Sequence, residues 1–73
     1  SNDEYTGTME VIEKALQRIS DIQRTVILLR DYEGYSYDEI GEITSLNAAQ
    51  VKINIFRGRQ ALKEIIGNPS NLI

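Results

Sequence analysis

The sequence contains no cysteine, no histidine and no tryptophan, and it has one proline among its 73 residues. Without histidine and cysteine, the chain lacks the commonest general base, the thiolate nucleophile and most ligands of transition metals. We therefore expect no enzymatic activity, no metal site, no cofactor and no small-molecule substrate. The absence of cysteine also excludes a disulfide framework, which leaves both reducing and oxidising compartments open.

The sequence also lacks long hydrophobic runs. No stretch approaches the roughly 18 apolar residues that span a membrane, and the N-terminus lacks the order of a signal peptide, so we expect no membrane association. A chain this short buries only about 60% of its unfolded surface, enough for one small core. We assign residues 1–7 to a flexible N-terminal segment, in which Ser1-Asn2 resembles a tag remnant, residues 8–67 to the domain, and residues 68–73 to a C-terminal tail.

Charge is unevenly distributed along the chain. The net charge of −3 argues against a general polyanion binder. However, residues 1–46 carry ten acids against four bases, a balance of −6, whereas residues 47–73 carry Lys52, Arg57, Arg59 and Lys63 against Glu64, a balance of +3. The basic part predicts a face for phosphates, and the acidic part a face for another partner. The alternative for both is an ordinary solvated surface.

Apolar spacing and capping residues predict two helices in the first half. A first helix from about Thr8 to Arg18 would bury one face, made of Met9, Ile12, Leu16 and Ile19. Ser20 with Gln23 has the form of a capping box and opens a second helix that ends near Tyr32. Gly34 follows in a break and suits a left-handed backbone conformation.

Two further caps predict two helices in the second half. Ser36 with Glu39 opens a short third helix with Ile40 and Ile43 on its inner face. Asn47 with Gln50 opens a fourth helix from about Ala48 to Ile66, whose inner stripe is Val51, Ile55, Leu62 and Ile66. No segment alternates as a strand does, so the fold class is all-α, a four-helix domain with a C-terminal helix-turn-helix and no wing. We expect the core to be Val26, Leu29, Ile40, Ile43, Val51, Ile55 and Leu62.

A short helix, a tight turn and a longer basic helix are typical of a helix-turn-helix that places its second helix in the major groove of duplex DNA. Gly41 lies in the middle of the third helix, where glycine costs about 1 kcal/mol relative to alanine, so we expect the fourth helix to approach closely there. The outer arc of the fourth helix is basic and apolar, with Ile53 and Phe56 as an exposed pair. That pair suits thymine methyl groups, or else packing against the first helix or a partner protein.

Two stretches together suggest a family. The first, Ile22 to Gly41, contains the turn Glu33-Gly34-Tyr35-Ser36-Tyr37, and the second contains Val51-Lys52 followed by Phe56-Arg57-Gly58-Arg59-Gln60-Ala61-Leu62. The sequence from Asp21 to Ile66 resembles region four of the extracytoplasmic-function (ECF) sigma factors of bacterial RNA polymerase. The step from arginine through a small residue to arginine, after that turn, is the most specific part of the resemblance.

The resemblance implies a cytoplasmic domain that binds double-stranded promoter DNA at the minus thirty-five element in transcription initiation. It also implies docking on the β flap of RNA polymerase core, masking by an anti-sigma factor, and a further domain before this one. The residues that it marks for DNA binding, together with the outer arc of the fourth helix, are Ser36, Tyr37, Gln50, Lys52, Ile53, Phe56, Arg57, Arg59 and Lys63. The family commonly has serine and arginine where this chain has Ile53 and Asn54, so we expect a different promoter preference.

Two other functions remain open at this point. The output domain of a response regulator or quorum-type transcription factor shares the helix-turn-helix, and gel filtration would separate the two because such domains often dimerise. A protein-interaction module that never meets DNA would fit the acidic total charge and the exposed Ile53 and Phe56. Such a module would show no salt-dependent binding to duplex DNA.

Overall fold

The computed structural model describes residues 3–68, and side chains from residue 7 onwards. This part consists of α1 (Asp3–Arg18), α2 (Asp21–Ile27), a π-helical segment (Leu28–Tyr32), α3 (Tyr37–Thr44) and α4 (Ala48–Gly67). Residues 3–68 contain no strand, so the predicted all-α class is confirmed. α1 begins at Asp3, five residues before the predicted Thr8. Residues 1, 2 and 69–73, which include most of the predicted tail, lie outside the described residues.

All three predicted N-caps are confirmed, and each of them forms a capping box. The side chains of Ser20, Ser36 and Asn47 each accept a hydrogen bond from the backbone N–H three residues later. In return, the backbone N–H of the cap donates to the side chain of Gln23, Glu39 or Gln50, over 2.8 to 3.3 Å. Each box satisfies backbone donors that the first turn of a helix leaves unpaired, and so defines where α2, α3 and α4 begin.

The second helix ends at Tyr32 as predicted, but its last turn is wider than an α-helical turn. The N–H of Glu33 donates to the carbonyl of Leu28, five residues earlier, over 3.0 Å, and beyond the helix the N–H of Tyr35 donates to the carbonyl of Leu29, six residues earlier, over 3.0 Å. Such π-helical turns are rare and often lie at functional sites. Gly34 then adopts φ 79°, the left-handed conformation expected of it.

Two adjoining clusters form the core. Val26, Ile40, Val51 and Ile55 make the first, between α2, α3 and α4, with Leu29 packed on its edge. Leu16, Ile19 and Ile27 make the second, which joins α1 to α2 and is covered by Leu62 and Ile65 of α4. Four of the seven predicted core residues are therefore fully buried, and Leu29 and Leu62 are half-buried beside them.

Three predicted inward positions are wrong. Ile43 is 54% exposed, because the inner line of α3 runs through Tyr37, Ile40 and Thr44 and leaves Ile43 to one side. Ile66 is exposed because the neighbouring Ile65 turns towards the second cluster. Met9 is exposed because the buried part of α1 begins further along the helix, at Ala15 and Leu16.

Two glycines allow close approaches of the backbone. A Cβ atom on Gly41 would lie 3.0 Å from the carbonyl oxygen of Leu46. The close neighbour of Gly41 is therefore the turn after α3. The prediction that the fourth helix approaches closely at Gly41 is wrong. α4 instead makes its close approach at Gly58. A Cβ atom there would overlap Cδ1 of Ile27 and lie 3.2 Å from Cβ of Gln23. Gly58 therefore lets α4 pack directly on α2.

Candidate nucleic-acid interface

The turn between α3 and α4 determines how α4 is presented. Ser45 adopts φ 64°, and its N–H donates to the carbonyl of Gly41 over 2.8 Å. The hydroxyl of Thr44 donates to the carbonyl of Ile40 over 2.6 Å and accepts from the N–H of Leu46 over 3.4 Å. A non-glycine residue in the left-handed region is uncommon and costs energy, so these bonds hold a specific turn.

The outward face of α4 carries most of the predicted DNA-binding residues. Phe56 is 59% exposed and Ile53 is 39% exposed, whereas Val51 and Ile55 face the core. Because Lys52, Phe56, Arg59 and Lys63 follow one another at steps of four, three and four residues, they lie on one side of the helix. Phe56, Arg59, Gln60 and Lys63 line an open depression on that side. Arg57 is also exposed, and it lies at the other edge of the outward face, away from these residues.

The cations on this face differ in whether they have a partner within the protein. Within residues 3–68, the side chains of Lys52, Arg57 and Lys63 make no ion pair and no hydrogen bond. Asn54 donates its side-chain amide to the carbonyl of Gln50 over 2.8 Å. α4 therefore presents three unpaired cations and two apolar side chains.

Arg59 is held by an acid from the π-helical segment. Its Nε donates to Oδ2 of Asp31 over 3.0 Å, and its Nη2 donates to Oδ1 of the same carboxylate. This hydrogen-bonded pairing raises the pKa of Arg59 above its ordinary value, against the opposing effect of partial burial. Sequence reasoning missed Asp31, because it is 28 residues away from Arg59 along the chain and belongs to no motif.

The remaining predicted residues are engaged within the protein. Both the N–H and the hydroxyl of Ser36 are used in its capping box, and the side chain of Gln50 accepts from the N–H of Asn47. Tyr37 is half-buried against the first cluster, with the guanidinium of Arg30 4.9 Å above its ring. Arg30 also donates to the carbonyl of Tyr35 over 2.9 Å. The start of α3 is thus held by contacts within the protein.

One carboxylate at this edge has a shifted pKa. The N–H of Ser36, and to a smaller degree its hydroxyl, stabilise the charged form of Glu39 and lower the pKa of that carboxyl. In the described part of the chain, no group of three or more acidic residues is placed to hold a metal ion. Likewise, none of the helices between residues 3 and 68 combines the length and apolarity needed to cross a membrane.

Comparisons with known proteins identify the family. The family model described as "Sigma-70, region 4" matches residues 9–62. The chain is 40% identical over 53 residues to the ECF RNA polymerase sigma factor SigW of Bacillus subtilis, covering 73% of this chain and 28% of that protein. It is 33% identical over 60 residues to the ECF RNA polymerase sigma factor SigE of Mycolicibacterium smegmatis, covering 82% and 23%.

A third relative, the RNA polymerase sigma-H factor of Pseudomonas aeruginosa, is 29% identical over 55 residues, with 75% of this chain and 28% of the relative covered. The chain thus spans less than a third of the length of these relatives. No solved structure matches. The family match favours a sigma factor over a response regulator, as the turn after the second helix and the Arg57-Gly58-Arg59 step also indicate. The chain belongs to the sigma-70 region 4 family.

Proposed function

We propose that residues 8–67 form a helix-turn-helix domain that recognises the minus thirty-five element of promoter DNA and helps to direct RNA polymerase to initiation. The observation that carries this proposal is the outward face of α4, with three unpaired cations and two exposed apolar side chains. A helix presented in this way fits the major groove, where it meets both phosphates and base edges. Family membership supports the same function.

The side chains on α4 divide into two roles. Lys52, Arg57 and Lys63 carry exposed charges and contact phosphates, which position the helix without reading sequence. Arg57 can in addition reach a guanine edge. Ile53 and Phe56 are apolar and exposed, which suits contact with thymine methyl groups or sugars. Ser36 and Tyr37 lie at the start of α3 and Gln50 lies in the first turn of α4, and we expect these residues to contact a phosphate.

A salt titration tests whether phosphates are bound at all. Each neutralised phosphate releases about 0.9 of a condensed counterion, so three or four contacts predict a slope of log K against log salt of roughly −3 to −4. Because Arg59 is paired with Asp31, we expect the slope measured for the parent domain to lie at the lower end of this range, at about −3. A slope near zero would overturn the proposal and favour a module that binds only proteins.

Two variants test the division of roles. A duplex selected from a randomised pool and a scrambled control would be titrated with Arg57→Ala and Phe56→Ala at several salt concentrations. Arg57→Ala should weaken binding to both duplexes and make the slope shallower by about 0.9, with a further cost of about 1–3 kcal/mol at one base pair if it reads guanine. Phe56→Ala should reduce the preference for the selected duplex and leave the slope unchanged. Identical behaviour of all three proteins would exclude α4 as the reading helix.

The protein partners are proposed on family membership. The relatives are named as RNA polymerase sigma factors, which supports binding of RNA polymerase core, with the β flap as the docking site. An anti-sigma factor would act by covering the outward face of α4. Binding of the domain to purified core polymerase, with and without the isolated flap as competitor, tests this part. Full binding in the presence of excess flap would place the docking site elsewhere.

A further inference from the structure

Asp31 is an acid placed beside the basic face of α4. It lies in the π-helical segment, and its two carboxylate oxygens accept from Nε and Nη2 of Arg59. The side chains of Arg59 and Asp31 are 49% and 35% exposed, so the pair is open to solvent and to a ligand that approaches α4. Within residues 3–68, this is the ion pair that joins α4 to another element.

The geometry of the pair determines what Arg59 can offer to a phosphate. A guanidinium has two edges, one made by Nε and Nη2 and one made by Nη1 and Nη2, and each can donate two parallel N–H bonds to a carboxylate or a phosphate. Asp31 occupies the edge made by Nε and Nη2, so while this pair is in place a phosphate can reach Arg59 only through the edge made by Nη1 and Nη2. The negative charge of Asp31 also opposes an approaching phosphate. Arg59 can therefore offer a phosphate its full charge and both of its edges only after it leaves Asp31.

We propose that Asp31 limits the affinity of this domain for DNA by competing with a phosphate for the guanidinium of Arg59. This inference rests on the proposed DNA-binding function and adds a residue to it, outside the helix-turn-helix, that adjusts the strength of binding. In the parent, Asp31 stays paired with Arg59 in the complex, so Arg59 neutralises no phosphate and the slope of log K against log salt remains near −3. The domain therefore binds promoter DNA less tightly than its four cations would allow.

The test replaces the carboxylate by an amide of the same shape. Asp31→Asn should bind duplex DNA about two- to fivefold more tightly at low salt, which is the size of one exposed ion pair. Its slope of log K against log salt should be steeper than that of the parent by about 0.9. Asp21→Asn is the matched control, because Asp21 also pairs with an arginine, Arg24 at 2.7 Å, but at the start of α2. It should change the affinity less than Asp31→Asn and leave the slope unchanged.

A double variant shows whether the effect passes through Arg59. Added to Arg59→Gln, Asp31→Asn should give no steeper slope and little extra affinity. The inference would be overturned if Asp31→Asn and Asp21→Asn changed the affinity equally, or if the gain in affinity persisted without Arg59. Either result would mean that the effect comes from the net charge of the domain alone. Weaker binding by Asp31→Asn would also overturn it, since Asp31 would then orient Arg59 for the phosphate. A parent slope near zero would overturn the proposed function, whereas a slope near −3 with an unchanged Asp31→Asn would overturn this inference alone.

Discussion

The contact between α2 and α4 at Gly58 makes a quantitative prediction about stability. A methyl group at this position would overlap Cδ1 of Ile27, a side chain that is itself 2% exposed and has little room to move. Forcing extra atoms into a packed core costs about 1–3 kcal/mol, whereas alanine in place of glycine inside a helix gains about 1 kcal/mol. Gly58→Ala should therefore lower the free energy of unfolding by about 0–2 kcal/mol, the balance of these two effects.

Ile27→Val is the second substitution of a double-mutant cycle with Gly58→Ala, because it removes the one carbon atom that the new methyl group would overlap. Alone it should cost about 0.5–1.5 kcal/mol. Combined with Gly58→Ala it should cost clearly less than the sum of the two, with a coupling free energy of about 0.5–3 kcal/mol. Urea unfolding followed by circular dichroism measures all four proteins, with Gly67→Ala as a control at a position that has open space. Additive costs, or a gain of about 1 kcal/mol from Gly58→Ala alone, would refute the close packing of α2 on α4.

Two further predictions concern stability. Ile55→Ala should cost about 2–4 kcal/mol and Val51→Ala somewhat less, because both are buried, whereas Ile43→Ala should cost under about 1 kcal/mol in the same urea assay. Glu39 has a lowered pKa in the folded state, so its contribution to stability is complete above its ordinary pKa of 4.5 and is lost as the pH falls below that value. Glu39→Gln keeps the capping box and should flatten the loss of stability on acidification below pH 4.5; an unchanged pH profile would contradict this.

Local signals predicted most of the fold. A cap and its partner three residues later lie within one helical turn, so Ser20, Ser36 and Asn47 could be recognised without any knowledge of tertiary structure. The buried face of a long helix also follows from the spacing of nearby apolar residues, and the spacing of Val51 and Ile55 placed both correctly in the core. α3 is only eight residues long, and two isoleucines three apart leave its phase open, which is why Ile43 was placed wrongly.

Contacts between distant parts of the chain could not be predicted in this way. The overlap at Gly58 depends on the distance between α2 and α4, which no residue pattern encodes. The pairing of Asp31 with Arg59 depends on that packing and on the π-helical turn, and nothing in Leu28 to Tyr32 distinguishes a π turn from an α turn by spacing alone. For the same reason, sequence reasoning identified the cations of α4 but could not say which of them is already paired.

The central claim is that the outward face of α4 meets duplex DNA, and mapping amide chemical shifts during a titration with a selected duplex tests it most directly. At 8.3 kDa the chain suits two-dimensional NMR. The largest changes should fall on Lys52, Ile53, Phe56 and Arg57, with smaller changes at Ser36 and Tyr37, and almost none on the exposed side of α1 at Glu13 and Gln17. Changes that are largest on α1, or a spectrum that the duplex leaves unaltered, would contradict the claim.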